Sequence, residues 1–351
     1  MQIPLSVLDL VPLPEGASSS RALRDSLELA RLADRLGYTR HWFAEHHNMP
    51  TVVSTTPEIL IALAAEQTER IRVGSGGVML PNHAPLKVAE TYKMLAALHP
   101  GRIDLGIGRA PGTDTATAIA LRGSRQAMMA DDFGDKLSEL EAFGKDGMGV
   151  RNSLATVAAM PPDAPLPDIW LLGSSDYSAQ LAAAIGVGYA FAAHFSDFPP
   201  EYPLRAYREQ FTPGTLEIPH AILTLSVICA DTDAEAERLA SSLLVAFTRL
   251  RTGQKSVLLP PDEARAYPFT PQESAVAESI RPQQIIGSPA TVEKRIRTLV
   301  ERTGADEVMV TTFTHGQAER LHSYGLLARA FALSSEGNRE MPPTVSDPAQ
   351  F

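Results

Sequence analysis

The stretch YTRHWFAEHH, residues 38–47, combines a strand pattern with an abrupt end in one carboxylate and two imidazoles. A segment of helical period at residues 21–36, closed by Gly37, comes directly before it. That helix in turn follows an apolar run at residues 3–10, which has the length and composition of a strand. Strand, helix and strand in this order predict one β/α unit followed by the start of a second.

The same alternation continues through the rest of the chain. Further strands are predicted at residues 71–80, 103–108, 169–172, 188–193, 221–230 and 307–312. Helices are predicted from residue 57, at 86–98 and 115–143, from about 175, and at 233–249, 288–304 and 317–333. Roughly eight such units without a convincing linker predict an α/β protein, a closed (β/α)8 TIM barrel with insertions that forms a single domain over residues 1–333.

Three segments depart from this alternation. Residues 144–167 are rich in Gly, Pro and Ala and predict an insertion before the fifth strand. Residues 251–287 contain five prolines and little periodicity, which predicts a long lid-like loop, and residues 334–351 predict a C-terminal tail. An open doubly wound sheet is the alternative fold, but the G-x-G sites of the chain lack the third glycine of a dinucleotide-binding motif.

Composition narrows the functional classes. The formal net charge is -10 over 351 residues, and no basic stretch is dense enough to follow nucleic acid or anionic lipid, so neither partner is expected. The single cysteine, Cys229, cannot form an intrachain disulfide. The N-terminus lacks signal-peptide features, and no apolar run approaches the roughly 20 residues of a membrane span, so we expect a cytoplasmic protein.

In a barrel, the residues that follow each strand surround the mouth, so polar side chains at strand ends are candidate functional groups. They are Glu45, His46, His47, Asn48, Gly74–Gly77, Asn82, Arg109, Ser174, Ser175, Ser178, Thr311, Thr312 and His315. The helix start near Ser175 offers free N–H groups, and Arg109 opposite it would complete a phosphate clamp. The alternative is that Ser175 only caps its helix and Arg109 pairs with a nearby carboxylate.

The segment Glu45-His46-His47 is ambiguous on its own. Adjacent residues that leave a strand point to opposite sides, so one histidine at most is expected to face the mouth. A metal site is not expected, because adjacent residues chelate one ion poorly and the first strand lacks a His-x-His pair. The glycines at 74–77 predict either a bulge close to a flat ligand or small residues that fit the taper of the barrel.

Four ordered motifs together resemble the bacterial luciferase-like flavin monooxygenase family, the luciferase-like class of flavin-dependent oxidoreductases. They are WFAEHHN at residues 42–48, VGSGGVMLP at 73–81, PGRIDLGIGR at 100–109 and LLGSS at 171–175. The resemblance extends over about residues 3–333. It implies a barrel enzyme that uses reduced FMN and dioxygen to oxidise a small organic substrate.

The resemblance also implies partners. A separate NAD(P)H-dependent reductase would supply the reduced flavin, although direct reduction by a nicotinamide in the open mouth is an alternative. A homodimer is expected from the family. Three other functions stay open: a deazaflavin-dependent oxidoreductase that transfers hydride, a flavin-binding protein without turnover and, from the Glu-His-His segment, a metal hydrolase.

Carried over residue by residue, the resemblance assigns roles at the mouth. The candidate catalytic residues are His46, which matches a catalytic acid or base, and Glu45, which matches a carboxylate near the flavin ring. The cofactor-binding positions, which include a non-proline cis peptide between the two glycines, are Gly76, Gly77, Arg109, Ser174, Ser175, Tyr177 and Ser178. Luciferases carry a cysteine at the position of Gly108 and a glutamate at that of Ser174, so light emission is not expected here.

Overall fold

The computed structural model describes residues 2–145 and 156–334, and its strands form one parallel sheet that closes on itself. The strands are β1 (Leu5–Asp9), β2 (Arg40–Phe43), β3 (Arg72–Ser75), β4 (Val78–Met79), β5 (Ile103–Gly108), β6 (Ile169–Gly173), β7 (Gly188–Ala192), β8 (Ala221–Cys229), β9 (Gln284–Gly287) and β10 (Glu307–Thr311). Because β10 pairs with both β1 and β8, the sheet is closed, with β3 and β4 sharing one position. The predicted (β/α)8 TIM barrel is confirmed.

Helices surround the barrel. They are α1 (Ser19–Leu36), α2 (Pro57–Glu66), α3 (Pro85–Leu98), α4 (Thr115–Arg122), α5 (Arg125–Met129), α6 (Phe133–Lys145), α7 (Asp176–Ile185), α8 (Glu201–Glu209), α9 (Asp233–Arg251), α10 (Pro261–Arg265), α11 (Pro271–Ile280), α12 (Pro289–Thr303) and α13 (Gln317–Ala330). Within the described ranges, none of them is both long and apolar enough to cross a membrane.

The segment 251–287 differs from the predicted lid-like loop. It contains α10, α11 and the strand β9, which extends the sheet beside the upper half of β8. Pro261 and Pro271 occupy the first turns of their helices, where a missing N–H costs nothing. Two of the five prolines that predicted a loop therefore begin helices.

One further prediction needs correction, and one helix was missed. The helix expected over residues 115–143 is three helices, because Gly123 ends α4 in the left-handed conformation at φ 81° and Ser124 caps α5. The helix α8, between β7 and β8, was not predicted. The C-terminal tail from residue 335 onward and residues 146–155 of the predicted insertion lie outside the described residues.

A buried ion network fills the amino-terminal end of the barrel interior. The guanidinium of Arg40 on β2 donates to both oxygens of Glu307 on β10 at 3.1 Å and to Asp104 on β5 at 2.9 Å. Asp104 also accepts from the Trp42 indole N–H at 2.9 Å and from Arg72. All of these side chains except Arg72 are fully buried, so each buried charge is stabilised by its ion-pair partners rather than by water.

Glu307 makes this network sensitive to pH. Burial raises the pKa of Glu307, but the charge of Arg40 and the hydrogen bond with His220 outweigh burial and hold that pKa at about 2, below the ordinary 4.5. Because the folded pKa is depressed, the stabilisation is complete above about pH 4.5 and is lost as the pH falls towards 2.

We predict that Glu307→Gln lowers the free energy of unfolding at pH 7 by about 3 kcal/mol, since it leaves the Arg40 charge undercompensated. Urea unfolding between pH 7 and pH 3 measures this. The difference in the free energy of unfolding between the wild type and the variant should become smaller as the pH falls. Glu235→Gln, at a partly exposed position, loses only a surface pair with Arg238 and should change the free energy of unfolding by less than about 0.5 kcal/mol. A gap that stays constant down to pH 3 would contradict the assignment.

Candidate active site

A cavity of about 210 Å³ opens at the carboxyl ends of the barrel strands. Its walls are mainly apolar or glycine, with a few polar groups that converge from different strands. The predicted site residues on its wall are His46, Gly76, Gly77, Arg109, Ser174, Ser175 and Ser178. Glu45 and Tyr177 are not on the wall, and Tyr177 packs against Arg109 beside it.

One side of the cavity has the character of an anion site. Helix α7 begins at Asp176, and its N-cap residue Ser175 makes no side-chain capping hydrogen bond. The guanidinium carbon of Arg109 lies 4.2 Å from the centre of the Tyr177 ring, and Arg109 forms no ion pair with any described residue. The alternative in which Ser175 caps the helix through its side chain and Arg109 pairs with a carboxylate does not hold. Free helix N–H groups, hydroxyls and an uncompensated cation favour a bound anion.

The opposite wall contains a backbone bulge between β3 and β4. The Gly76-Gly77 peptide bond is cis, as the family resemblance implied. A Cβ atom at Gly76 would lie 2.6 Å from the Leu8 side chain, and one at Gly77 would lie 2.8 Å from the Gly106 carbonyl oxygen. Barrel packing alone therefore requires glycine at position 77, and a side chain at position 76 would displace Leu8, while both glycines also face the cavity.

His46 lies on the cavity wall, whereas His47 turns away from it. The Nδ1 atom of His46 is 3.2 Å from the Gly112 carbonyl oxygen, which can only accept, so Nδ1 carries the proton in the neutral ring. Burial lowers the pKa of His46 below its ordinary value, against the opposing effect of that carbonyl. A neutral His46 with a basic Nε2 atom can accept a proton near neutral pH.

Glu45 is buried and is not among the residues that line the cavity, and its position near the cofactor ring stays a prediction. Its oxygens accept hydrogen bonds from the Met79 backbone N–H at 2.9 Å and from the Nε2 atoms of His47 and His83 at 3.0 Å. Met79 belongs to β4, and its side chain lines the cavity. Glu45 therefore positions the strand that follows the glycine bulge.

The pairing of Glu45 with His83 shifts both pKa values. Burial raises the pKa of Glu45, but hydrogen bonds from His83, His47 and Met79 outweigh it and leave that pKa below its ordinary value. The hydrogen bond to Glu45 raises the pKa of His83, against a smaller effect of burial. His83 was not among the sequence candidates, although it directly follows Asn82, which was.

Sequence reasoning also missed His194, which follows β7 and lines the cavity. Burial, reinforced by neighbouring His46, lowers the pKa of His194 to about 3, so the ring is neutral. Its position directly after a predicted strand is a signal that could have identified it.

Several predicted strand-end residues serve the scaffold. Asn48 bonds to Asp114, Asn82 bonds to Arg122, and Thr312 donates to the Val227 carbonyl oxygen. Across residues 2–145 and 156–334, no group of three or more His, Cys, Asp and Glu side chains is placed to hold one metal ion.

The sequence is similar to a family of known proteins over most of its length. The luciferase-like monooxygenase family model matches residues 3–307. A luciferase-like monooxygenase of Escherichia coli (strain K12) is 41% identical over 325 residues, which are 92% of this chain and 96% of the relative. The N-acetyl-S-alkylcysteine monooxygenase of Bacillus subtilis (strain 168) is 33% identical over 331 residues, 93% of this chain and 98% of the relative.

The fold is also similar to that of a solved structure over nearly the whole chain. The crystal structure of apo-MsnO8 matches with a TM-score of 0.87 at 40% sequence identity, and the match covers 95% of this chain and 98% of that one. Barrel, cavity and relatives together define a TIM-barrel oxidoreductase. The chain belongs to the luciferase-like monooxygenase family.

We predict that Glu45→Gln lowers the pKa of His83, because the charged hydrogen-bond acceptor that raises it is replaced by a neutral amide. A histidine-detected NMR titration of the wild type and the variant measures the shift. The lowered pKa of His99, at the end of α3, should stay the same in both proteins. An unchanged His83 titration would show that Glu45 is not its partner in solution.

Proposed function

We propose that this protein is a flavin-dependent monooxygenase that uses reduced FMN and dioxygen to oxidise a small organic substrate. The observation that carries the proposal is the uncompensated Arg109 beside the N-terminus of α7, at one end of a cavity that has His46 on its wall. Family membership supports the oxygenation chemistry. The residues present fit a flat cofactor with a phosphate group.

In this proposal, the cofactor phosphate binds to Arg109, to the hydroxyls of Ser174, Ser175 and Ser178, and to the N–H groups of the first turn of α7, which includes Tyr177. The Tyr177 ring packs on the guanidinium and limits its rotamers. The Gly76-Gly77 bulge supports the flavin ring. When bound, the reduced flavin supplies the electrons that activate dioxygen.

The chain itself supplies proton handling and exclusion of water. His46 acts as the catalytic acid or base, because it is the wall histidine whose Nδ1 proton is committed to Gly112. Glu45 acts as a positioning residue through Met79. Apolar side chains such as Leu8, Leu10 and Leu172 line the cavity and keep it poor in water.

The proposal also includes an electron source, an oligomeric state and a class of substrates to assay. We infer that a separate NAD(P)H-dependent reductase delivers the reduced flavin and that the enzyme is a homodimer, as in the resembled family. A relative 33% identical to this chain is named N-acetyl-S-alkylcysteine monooxygenase. N-acetyl-S-alkylcysteines are therefore the first substrates to assay.

We predict that Arg109→Ala weakens FMN binding by about 10- to 100-fold, the effect of losing one or two charge-assisted hydrogen bonds. Flavin-fluorescence titration measures the dissociation constant. Riboflavin, which has no phosphate, should bind wild type and variant equally. Arg125→Ala, which removes an exposed arginine on helix α5, is the matched control and should change neither affinity. Equal losses for FMN and riboflavin would refute the phosphate assignment, and wild-type protein that binds neither flavin would refute the proposed function.

We predict that His46→Asn reduces substrate turnover by about 100-fold or more while FMN affinity stays within about twofold. The assay supplies FMN, NADH, a flavin reductase and oxygen, and follows the oxygenated product by mass spectrometry. His47→Asn, an adjacent histidine that faces Glu45, is the control and should retain most of the turnover. Full turnover by His46→Asn would remove its catalytic role. Turnover with a deazaflavin but not with FMN would favour hydride transfer instead.

A further inference from the structure

A row of buried polar side chains crosses three neighbouring strands just above the cavity. Ser226 on β8 is in register with Thr311 on β10 on one side and with Gln284 on β9 on the other. Residues in register on parallel strands point to the same face of the sheet, so these three side chains form a continuous line.

This line belongs to the face that lines the cavity. Thr224 and Met309 are on the cavity wall, and each lies two residues before Ser226 and Thr311 on its own strand. Because side chains alternate along a strand, Ser226 and Thr311 share the face of these wall residues, one level nearer the mouth. Gln284 shares this face through its register with Ser226, since β9 pairs with β8 above the level where β7 does. Ser226, Thr311 and Gln284 do not line the cavity themselves and lie one level beyond its wall residues.

The polar atoms of this region have no partners in the described part of the chain. They are Oγ1 of Thr311, both amide atoms of Gln284 and Nδ1 of His194, which lines the cavity. Gln284 is 2% exposed and Thr311 is 3% exposed. Buried polar groups in native proteins are nearly always hydrogen-bonded, so these unpaired atoms beside the cavity indicate a hydrogen-bonding ligand.

We propose that Gln284, Thr311 and His194 form a substrate subsite that recognises an uncharged hydrogen-bonding group, an amide above all. The inference deepens the proposed function and rests on it for the identity of the site as a substrate site. Gln284 offers one donor group and one acceptor, which matches the carbonyl and N–H of an amide in both roles.

The lack of charge in the subsite selects against ions. Burial keeps His194 neutral, and the other two side chains carry no charge at any pH. A carboxylate or ammonium that entered would lose its hydration without meeting an opposite charge, whereas an amide would exchange water for protein partners. The subsite therefore orients a neutral polar end of the substrate.

The test uses isothermal titration of the FMN-loaded protein with three probes of similar size: benzamide, benzoate and toluene. The wild type should bind benzamide at least about 10-fold more tightly than either of the others. Gln284→Leu should weaken benzamide binding by about 5- to 10-fold and leave toluene binding unchanged, and the isosteric Thr311→Val should weaken benzamide binding by about threefold. Thr303→Val, a buried threonine at the end of α12 outside the cavity wall, is the control and should have no effect.

Circular dichroism of the variants and benzamide titration of the flavin-free protein separate failure of the subsite from misfolding and from failure of the proposed function. If benzamide binds no more tightly than toluene, or if both subsite variants bind it as well as the wild type does, the subsite is wrong and these groups hold structural water only. If Gln284→Leu does not fold, as circular dichroism would show, Thr311→Val decides alone. Failure of the wild type to bind FMN would overturn the proposed function, and benzamide titration of the flavin-free protein would still test the subsite.

Discussion

The ion pair network around Arg40 is the constraint on which the rest of the barrel depends. Its guanidinium connects β2 with β10 on one side and with β5 on the other, two strands away in each direction. Since removal of any one partner would leave a buried charge without compensation, these strands have one favoured arrangement. The Arg40 guanidinium also lies over the Trp170 ring at 4.4 Å, which ties β6 to the same centre.

Packing contacts connect the ion network at the amino-terminal end of the barrel with the cavity at its mouth. Trp42 donates its N–H to Asp104 and meets Trp170 edge to face at 5.6 Å, so the network fixes the large side chains above it. A Cβ atom at Gly76 would lie 3.1 Å from the Trp42 side chain, so a larger residue would force Trp42 or the bulge to shift. The bulge in the cavity wall is thus packed against Trp42, which does not line the cavity itself.

What the sequence allowed us to predict depended on how local each signal was. Strand and helix periodicity is local, and the strand-end rule therefore placed Arg109, Ser175 and His46 at one mouth. The direction of the Glu45 carboxylate depends on His83, 38 residues away, and the partner of Arg40 is 267 residues away. No local pattern encodes such pairings, so the sequence predicted neither the histidine partners of Glu45 nor the buried network around Arg40.

The distribution of charge around the cavity explains how one barrel mouth can favour both an ionic and a neutral ligand group. Burial keeps His46 and His194 neutral, and Glu45 is paired with two histidines away from the wall. Among the described residues on the wall, Arg109 alone carries a full charge. An anion is therefore stabilised most at the α7 end, where Arg109 lies. The rest of the cavity favours uncharged groups, because no second cation would compensate the desolvation of another anion there. A ligand with one charged end and one neutral end can then bind in a single direction, which is what a reaction at a fixed histidine requires.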